Sequence, residues 1–368
     1  MDSNFNLSAY MSNGIENIVK SIVKASFRNP KETEFILKYA LSSKKAKKNR
    51  DKLEEKGENI PAFLISSITS SCNLFCKGCY ARANKICGEG LHKELLTSER
   101  WEGIFEEAKE LGISFILLSG GEPLIRKDVI ETAAKIKDIM FPIFTNGTML
   151  DKDYIDLLDN NRNLVPIISI EGDRSQTDSR RGEGTYDVLI NIMDRLNEKG
   201  ILYGVSVTVT TTNIETVTSR AFFDRLYKNG CKAMIFVEYV PIEDGTLLLA
   251  PTDIEREILE REQQKLREQY ENAIFLSFPG DEKYSGGCLA AGRGFFHINA
   301  DGSAEPCPFS PYSDTSLRNH TLREAIKSPL FRNLKETGML VGEHDGGCLL
   351  FQRQDEVKQL IGESNIFR

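Results

Sequence analysis

The chain has 368 residues, of which 40% are hydrophobic and 27% charged, and it carries a formal net charge of −7. This balance is typical of a globular protein with one large domain, or with a large domain and a small one, and the negative charge disfavours a nucleic-acid partner. No apolar run reaches the length of a membrane-spanning helix, and no secretion-signal pattern stands at the N-terminus, so we expect a cytoplasmic protein.

Residues 1–60 are expected to form a helical N-terminal extension. Apolar residues recur at helical spacing between Ile15 and Val23, and a second helix is predicted from Pro30 through the basic stretch that ends near Lys52. Charge runs usually lie on a solvated helix face, which favours a helical cap on the main domain. The alternative is an element that makes weak contact with a membrane surface or a partner.

From Ala62 onward, apolar runs typical of buried parallel strands alternate with helical patterns. The predicted strands are Phe63–Thr69, Phe115–Ser119, Pro142–Thr145, Val165–Ile170, Tyr203–Thr210 and Ala233–Val240. The predicted helices lie around Trp101–Leu111, at Val129–Met140, Asp153–Leu158, Tyr186–Lys199 and Glu215–Lys228, and from a capping box at Thr252 and Glu255 to about Glu271. Residues 61–274 are therefore predicted to form an α/β fold, a partial (βα)6 barrel, with its chemistry at the carboxyl ends of the strands.

Residues 275–368 are expected to form a small α+β module with a cysteine-rich sequence. A strand through Phe295, Phe296 and Ile298 leads to the turn signal Asp301-Gly302, and a return strand ends at Cys307. A short helix is predicted near Leu322–Ile326.

Eight cysteines in a chain without an export signal favour metal sites over disulfides, because the cytosol keeps thiols reduced. Cys72, Cys76 and Cys79 follow the first predicted strand on one short loop. Three thiolates can hold three irons of a cubane cluster and leave the fourth iron open to a small-molecule chelator. The rival interpretation is a zinc site with Cys87 as its fourth ligand.

Two further motifs close strands of the predicted barrel. Ser119-Gly120-Gly121-Glu122-Pro123 ends the second strand, where glycines allow close backbone approach to a ligand and a carboxylate can accept from an ammonium group. Ser169-Ile170-Glu171-Gly172 ends the fourth strand and is followed by Arg180 and Arg181, whose guanidinium fork suits a carboxylate.

Polar residues also follow three other predicted strands. Asn146 follows the third strand in Thr145-Asn146-Gly147, and Thr208 and Asn213 lie near the end of the fifth. Glu238 and Tyr239 end the sixth strand, where they either face the barrel mouth or simply pack.

The pattern Cys-x3-Cys-x2-Cys after the first strand, with Gly-Gly-Glu-Pro after the second, resembles the signature of the radical S-adenosylmethionine (SAM) superfamily. The resemblance implies a 4Fe–4S cluster on Cys72, Cys76 and Cys79, reductive cleavage of SAM, and hydrogen abstraction from a substrate by the 5′-deoxyadenosyl radical. The family often has an aromatic residue just before the third cysteine; here that position is Gly78, and the aromatic residue is Tyr80.

The same resemblance implies which residues bind the cofactor. Gly120, Gly121, Glu122 and Pro123 match the motif for the methionine amino group. Ser169 matches a ribose contact and Arg181 a contact to the methionine carboxylate; Asn146 and Tyr80 complete the expected cofactor-binding set.

The tail resembles the auxiliary-cluster extensions called twitch and SPASM. Cys288 and Cys307 match the opening pattern, and Cys348 remains from the later cysteine run, whose other positions hold Lys335, Gly338 and His344. The resemblance implies one auxiliary iron–sulfur cluster with an open or non-cysteine fourth position, for which His344 and Cys87 are candidates. Cys231 is predicted to pack in the core.

Three functions are compatible with these motifs. The first is a radical SAM enzyme that oxidises, or forms a bond in, a small molecule or lipid; it would need a low-potential electron donor such as flavodoxin or ferredoxin. The second is a maturase of a peptide or protein, which is disfavoured because no leader-binding winged-helix pattern precedes the barrel. The third is an iron–sulfur scaffold or electron carrier, which leaves Gly120–Pro123 unexplained.

Overall fold

The computed structural model describes Leu7 and residues 29–88, 94–341 and 347–361. Within this part of the chain, nine strands form one sheet: β1 Phe63–Ser67, β2 Phe115–Ser119, β3 Phe141–Thr145, β4 Leu164–Ser169, β5 Gly204–Val209, β6 Ala233–Glu238, β7 Ile274–Phe278, β8 His297–Ile298 and β9 Ala304–Glu305. Their spatial order is β7-β6-β5-β4-β3-β2-β1-β8-β9. All neighbours pair in parallel except β8 and β9, which are antiparallel.

Helices connect the parallel strands and continue into the tail. They are α1 Pro30–Glu54, α2 Tyr80–Ala83, α3 Ser98–Leu111, α4 Lys127–Lys135, α5 Lys152–Asn160, α6 Arg174–Arg181, α7 Thr185–Glu198, α8 Ile214–Val217, α9 Arg220–Lys228, α10 Asp253–Gln269, α11 Leu322–Ile326, α12 Pro329–Glu336, α13 Leu349–Gln352 and α14 Gln354–Ile361. Across the described residues, no helix combines the length and apolar character needed to span a membrane.

The parallel strands bury both faces, as their near-continuous apolar sequences predict. Outward residues such as Leu64, Ile116 and Phe236 join the core beneath the helices. Inward residues one position away, such as Phe63 and Ile235, line a cavity on the concave face. Because successive side chains of a strand point to opposite faces, each strand contributes alternate side chains to the packed core and to the cavity wall.

The six predicted strands are confirmed, with bounds shifted by one or two residues at several ends. The predicted stop of α3 is also confirmed, because Gly112 caps it in a left-handed conformation. The capping box of α10 forms between Thr252 and Glu255. The helix predicted at Glu215–Lys228 is instead divided into α8 and α9, because Ser219 adopts an extended conformation and caps α9 by accepting from Phe222 N.

A seventh parallel strand was not predicted. Ile274–Phe278 was assigned to the appended module, whose predicted start is residue 275, but it pairs with β6 over five residues. The reason is local: no helical pattern follows the run, so it lacked the βα signature of the other strands.

The helix α1 closes the end of the barrel at the amino termini of the strands. Ile36 and Tyr39 pack among Phe115, Met140 and Val165, and the Tyr39 hydroxyl donates to the Ser114 carbonyl at 2.8 Å. This agrees with a helical cap on the main domain. The earlier predicted helix, from Ile15 to Val23, lies outside the described residues.

The predicted hairpin of the tail is confirmed as β8 and β9, with His297 opposite Glu305. It extends the barrel sheet, because β8 pairs in parallel with β1. The buried His297 ring fastens the hairpin, since its Nε2 lies 2.7 Å from Ser67 Oγ and its Nδ1 lies 2.7 Å from a Glu305 carboxylate oxygen. The cysteine-bearing tail is therefore held against the barrel.

Candidate active site

The concave face of the sheet encloses a cavity of about 780 Å³. Its deeper part is apolar, with Phe63, Phe115, Met140 and Ile167 among the lining residues. Polar side chains line it at or beyond the strand ends, at Ser119, Ser169, Asn146 and Arg181, and within β5, at Ser206. A volume of this size lies within the range of small-molecule and cofactor sites.

The loop between β1 and α2 carries Cys72, Cys76 and Cys79, and all three line this cavity. Two backbone hydrogen bonds fix the loop to the barrel: Glu122 N donates to Ser71 O at 2.8 Å, and Lys77 N donates to Arg180 O at 2.9 Å. The loop is thus anchored both after β2 and at the end of α6.

Hydrogen-bond donors face two of the three sulfur atoms. Asn146 Nδ2 lies 4.0 Å from Cys72 Sγ, and Arg181 Nη1 lies 3.9 Å from Cys76 Sγ. A hydrogen bond with Cys87 lowers the pKa of Cys72 to about 6, whereas burial raises the pKa of Cys76. Donors of this kind stabilise thiolates that bind a metal cluster.

The Cys87 thiol lies beside Cys72 and packs with Ala81 and Ile86. Its proposed role as the fourth ligand of the auxiliary cluster is therefore wrong, because it belongs to the first cysteine loop. In the described part of the chain, no three His, Cys, Asp or Glu side chains have the spacing that a single metal ion needs. In a cubane each cysteine binds a different iron, so the relevant observation is that the three sulfur-bearing residues line one cavity.

The glycines after β2 bring the backbone close to the cysteine loop. Gly120 has φ +137°, and a Cβ on Gly120 or Gly121 would collide with the carbonyl oxygen of Thr69 or Ser71. Both glycines line the cavity. The two glycines thus let the end of β2 lie closer to the chain before Cys72 than a residue with a Cβ could.

Glu122 differs from the expectation, because its carboxylate points into the protein. The side chain is 1% exposed, and it accepts from Thr145 Oγ1 at 2.7 Å, Asn146 N at 2.7 Å and Leu124 N at 3.1 Å. Burial raises its pKa to about 7. The carboxylate thus braces the ends of β2 and β3 rather than meeting an ammonium group, and Pro123, also buried, begins a short 3₁₀ turn.

Ser169 Oγ, at the end of β4, lies 3.2 Å from Ser206 Oγ, in the middle of β5, and both residues line the cavity. Arg181 is nearby: its Nε donates to Glu171 Oε1 at 2.7 Å. Arg180 also donates to Glu171, and Glu171 Oε2 accepts from Thr208 N at 3.1 Å. Glu171, quoted in the motif but given no role from the sequence, is therefore the residue that positions both arginines.

Of two further residues named from the sequence, Tyr80 lines the cavity, whereas Asn213 stabilises a loop. Tyr80 lines the cavity, hydrogen-bonds Ser119, and packs edge-on against Phe309 with ring centroids 5.1 Å apart. Asn213 braces a loop by donating to the carbonyls of Glu171 and Thr208. Tyr80 thus connects the first cysteine loop with the tail.

The three tail cysteines converge, although 19 and 41 residues separate them in sequence. Cys307 and Cys348 are hydrogen-bonded, and both interact electrostatically with Cys288. Burial raises the pKa of Cys288 and of Cys307 well above the usual range. His344, the other candidate for the fourth ligand, lies outside the described residues.

The wall between the tail cysteines and the cavity includes Leu289, Pro308 and Phe309, each adjacent or nearly adjacent to Cys288 or Cys307 in sequence. Two buried carboxylates also stand there. Glu238 accepts from Arg256 Nε at 2.9 Å and from Gly347 N at 3.4 Å. Glu282 was missed from the sequence, because it lies in the charged run Asp281-Glu282-Lys283, which is typical of an exposed turn.

Comparison with known proteins agrees with this geometry. Residues 66–223 match the model of the radical SAM superfamily. The chain is similar to Fe-coproporphyrin III synthase of Methanosarcina barkeri, with 30% identity over 189 residues, 50% of this chain and 46% of that protein. It is also similar to the AdoMet-dependent heme synthase of the same organism, with 27% identity over 315 residues, 77% of this chain and 88% of that protein.

The chain thus spans about half of the first relative and most of the second. Among solved structures, Streptococcus suis SuiB bound to S-adenosylmethionine shares the fold with a TM-score of 0.66 at 18% identity, over 92% of this chain and 81% of that one. The barrel and the matched segment lead to one conclusion: residues 66–223 form a domain of the radical SAM superfamily.

Proposed function

We propose that the enzyme uses two iron–sulfur clusters to oxidise, or to form a bond in, a small molecule with a large apolar body. The observation that carries this proposal is the arrangement of the cysteines. One set lines the apolar cavity and the other lies just behind its wall. A substrate in this cavity would lie between the two clusters.

In this proposal Cys72, Cys76 and Cys79 hold the first cluster. The residues at the strand ends bind SAM: the backbone of Gly120 and Gly121 meets the amino group, Arg181 the carboxylate, and Ser169 the ribose. Asn146 and Tyr80 complete the pocket. When bound, the cluster and SAM together supply a 5′-deoxyadenosyl radical.

Residues of the chain then determine how the cofactor is oriented and which substrate C–H group lies next to it. Glu171 fixes the orientation of Arg181, so that a carboxylate bound there is held in one position. The apolar walls, with Phe63, Phe115 and Ile167, exclude water and place a substrate C–H group against the cofactor.

Cys288, Cys307 and Cys348 hold the auxiliary cluster in this proposal. Net oxidation of a substrate releases an electron after hydrogen abstraction, and a cluster a few side chains away is suited to accept it. Leu289, Pro308 and Phe309, apolar side chains next to these cysteines, form part of the wall that the electron would cross.

Two observations favour a small molecule over a peptide. The cavity lies inside the barrel and has an apolar interior, and two of the similar proteins are named as synthases of small molecules, Fe-coproporphyrin III and heme. Peptide maturation remains the second candidate, because the chain is also similar to the sporulation killing factor maturation protein SkfB of Bacillus subtilis, with 28% identity over 162 residues, 43% of this chain and 38% of that protein.

The first cluster needs an external one-electron donor, which we propose to be a flavodoxin or ferredoxin in the cytoplasm. The outer side of the cysteine loop offers a shallow depression lined by Asn73, Phe75 and Lys77, directly behind Cys72 and Cys76. Phe75 is 67% exposed there, and Lys77 suits an acidic partner. Eight free cysteines also suit a reducing compartment.

Deuterium transfer tests the substrate class. The reduced enzyme would be incubated with SAM and with deuterated candidates, either iron porphyrin precursors or peptides, and 5′-deoxyadenosine analysed by mass spectrometry. Deuterium from the small molecules supports the proposal. Deuterium from peptides alone would overturn it in favour of the second candidate.

A further inference from the structure

A carboxylate that the sequence did not indicate, that of Glu282, lies beside one of the three tail cysteines. The three tail cysteines provide three sulfur ligands, and a cubane has four irons. Of the two candidates for the remaining iron, Cys87 lies beside Cys72. The side chains around Cys288 therefore decide whether the protein itself can close this position.

Glu282 is the acidic side chain in contact with these cysteines. It lies in the 3₁₀ turn Gly280–Ser285, which follows β7, and its carboxylate is hydrogen-bonded to the Cys288 thiol. One carboxylate oxygen, Oε1, accepts from Leu289 N at 3.3 Å. The side chain is 3% exposed and lines the cavity.

A buried carboxylate is costly unless a cation or several donors compensate it. Glu238, on the same wall, has an ion pair with Arg256. Arg293 is near Glu282, but its guanidinium donates to the backbone carbonyls of Cys288 and Leu340. Among the described residues, Glu282 thus has no hydrogen-bonded basic side chain of the kind that Glu238 has in Arg256, and an iron would supply positive charge beside it.

The local backbone holds Glu282 in place for this role. The Ser285 hydroxyl is hydrogen-bonded to the carbonyls of Glu282 and Gly287 at 2.6 and 2.8 Å. These contacts connect the turn to the residue just before Cys288. Because this connection is short and hydrogen-bonded, it holds the Glu282 side chain in a fixed position relative to Cys288.

We propose that the Glu282 carboxylate binds the iron of the auxiliary cluster that the three cysteines leave free. This inference rests on the proposed auxiliary cluster. Carboxylate oxygen is a harder ligand than thiolate, so this iron is distinct from the other three and is the one lost first on oxidation. With this position closed by protein, the cluster carries electrons, and the substrate binds in the cavity without ligating iron.

The test uses protein with Cys72, Cys76 and Cys79 replaced by Ala, so that only the auxiliary site can hold iron. In this background the cluster should contain about four irons. Glu282→Gln should lose about one of the four on mild oxidation and give the EPR signal of a three-iron cluster. Glu282→Cys should keep all four and shift the EPR spectrum, because a thiolate replaces an oxygen ligand.

Asp281→Asn is the matched control. Asp281 is the neighbouring acid and also lines the cavity, but its carboxylate is bound by Arg267 at 2.9 Å. The EPR spectrum and the iron content of the Asp281→Asn variant should equal those of the background protein. Unchanged spectra in both Glu282 variants would overturn the ligand assignment alone. A background protein without iron would overturn the auxiliary cluster itself, and with it this ligand.

Discussion

Arg181 and Glu171 form a buried ion pair at the edge of the cavity, with Arg181 Nε 2.7 Å from Glu171 Oε1. The arginine side chain is 10% exposed and the glutamate 1%. The same guanidinium reaches Cys76 Sγ at 3.9 Å. One side chain thus connects the cysteine loop, the end of β4 and the proposed carboxylate site.

Replacing Arg181 should weaken SAM binding. Loss of a charge-assisted hydrogen bond costs about 1.5–3 kcal/mol, so Arg181→Ala should raise the SAM dissociation constant about tenfold to a hundredfold. Equilibrium binding to the cluster-loaded protein measures this, with iron content as the check on the cluster. Arg180→Ala is the control and should have a smaller effect; equal affinity in wild type and Arg181→Ala would show that Arg181 does not bind the carboxylate.

Gly121→Ala should disturb the site through the backbone. A Cβ at this position would collide with the Ser71 carbonyl, which accepts the hydrogen bond from Glu122 N. We expect reduced iron incorporation and weaker SAM binding, while the fold measured by circular dichroism is kept. Gly103→Ala, in the middle of α3, serves as control. Normal iron and SAM binding in Gly121→Ala would argue against this close backbone approach.

The sequence predicted the barrel well because each of the strands β1 to β6 is an apolar run with a helix after it. It predicted the first cysteine loop for the same reason, since the motif follows a strand. It did not predict β7, which has no helix after it. Nor did it place Glu122 correctly: a carboxylate next to two glycines suggests a ligand contact, and only the three-dimensional neighbours Thr145 and Asn146 show that it is already bound.

The roles of Glu282 and Cys87 relative to the tail cysteines also could not be predicted from the sequence. Their roles depend on which residues meet across long sequence separations, such as Cys288 with Cys348, and spacing alone contains no information about that. The convergence of the three tail cysteines was expected only from a resemblance, and the folded chain brings them together.

Glu122 should make the cluster-free protein less stable as pH rises. Burial raises its pKa to about 7, above the unfolded value of 4.5. Between about pH 4.5 and pH 7 the Glu122 carboxyl is therefore protonated in the folded state and ionised in the unfolded state. The free energy of unfolding is highest below about pH 4.5 and decreases until about pH 7. This shift in the pKa of Glu122 corresponds to about 3 kcal/mol in the free energy of unfolding.

Urea unfolding of the cluster-free protein at several pH values measures this slope. Glu122→Gln should flatten it, although Glu282, whose pKa burial also raises to about 7, contributes in the same direction. The same slope in wild type and Glu122→Gln would mean that the Glu122 carboxylate is ionised in the folded protein.

The helix α1 should behave as part of the barrel. Tyr39→Ala removes a buried ring that packs edge-on against Phe115 with centroids 5.7 Å apart, so it should cost about 3–5 kcal/mol in thermal or urea unfolding. Tyr39→Phe keeps the ring and loses only the hydroxyl, which is hydrogen-bonded to Ser114 O and to Ser43, and should cost about 1 kcal/mol. A small effect of Tyr39→Ala would favour a detachable docking helix.

Iron analysis of a triple variant tests the central claim most directly. Anaerobically prepared wild-type protein should contain about eight irons, as two cubanes. With Cys288, Cys307 and Cys348 replaced by Ser, about four should remain, SAM cleavage without substrate should continue, and substrate turnover should be lost. An unchanged iron content and unchanged turnover in this variant would contradict the account, because the three tail cysteines would then hold no cluster.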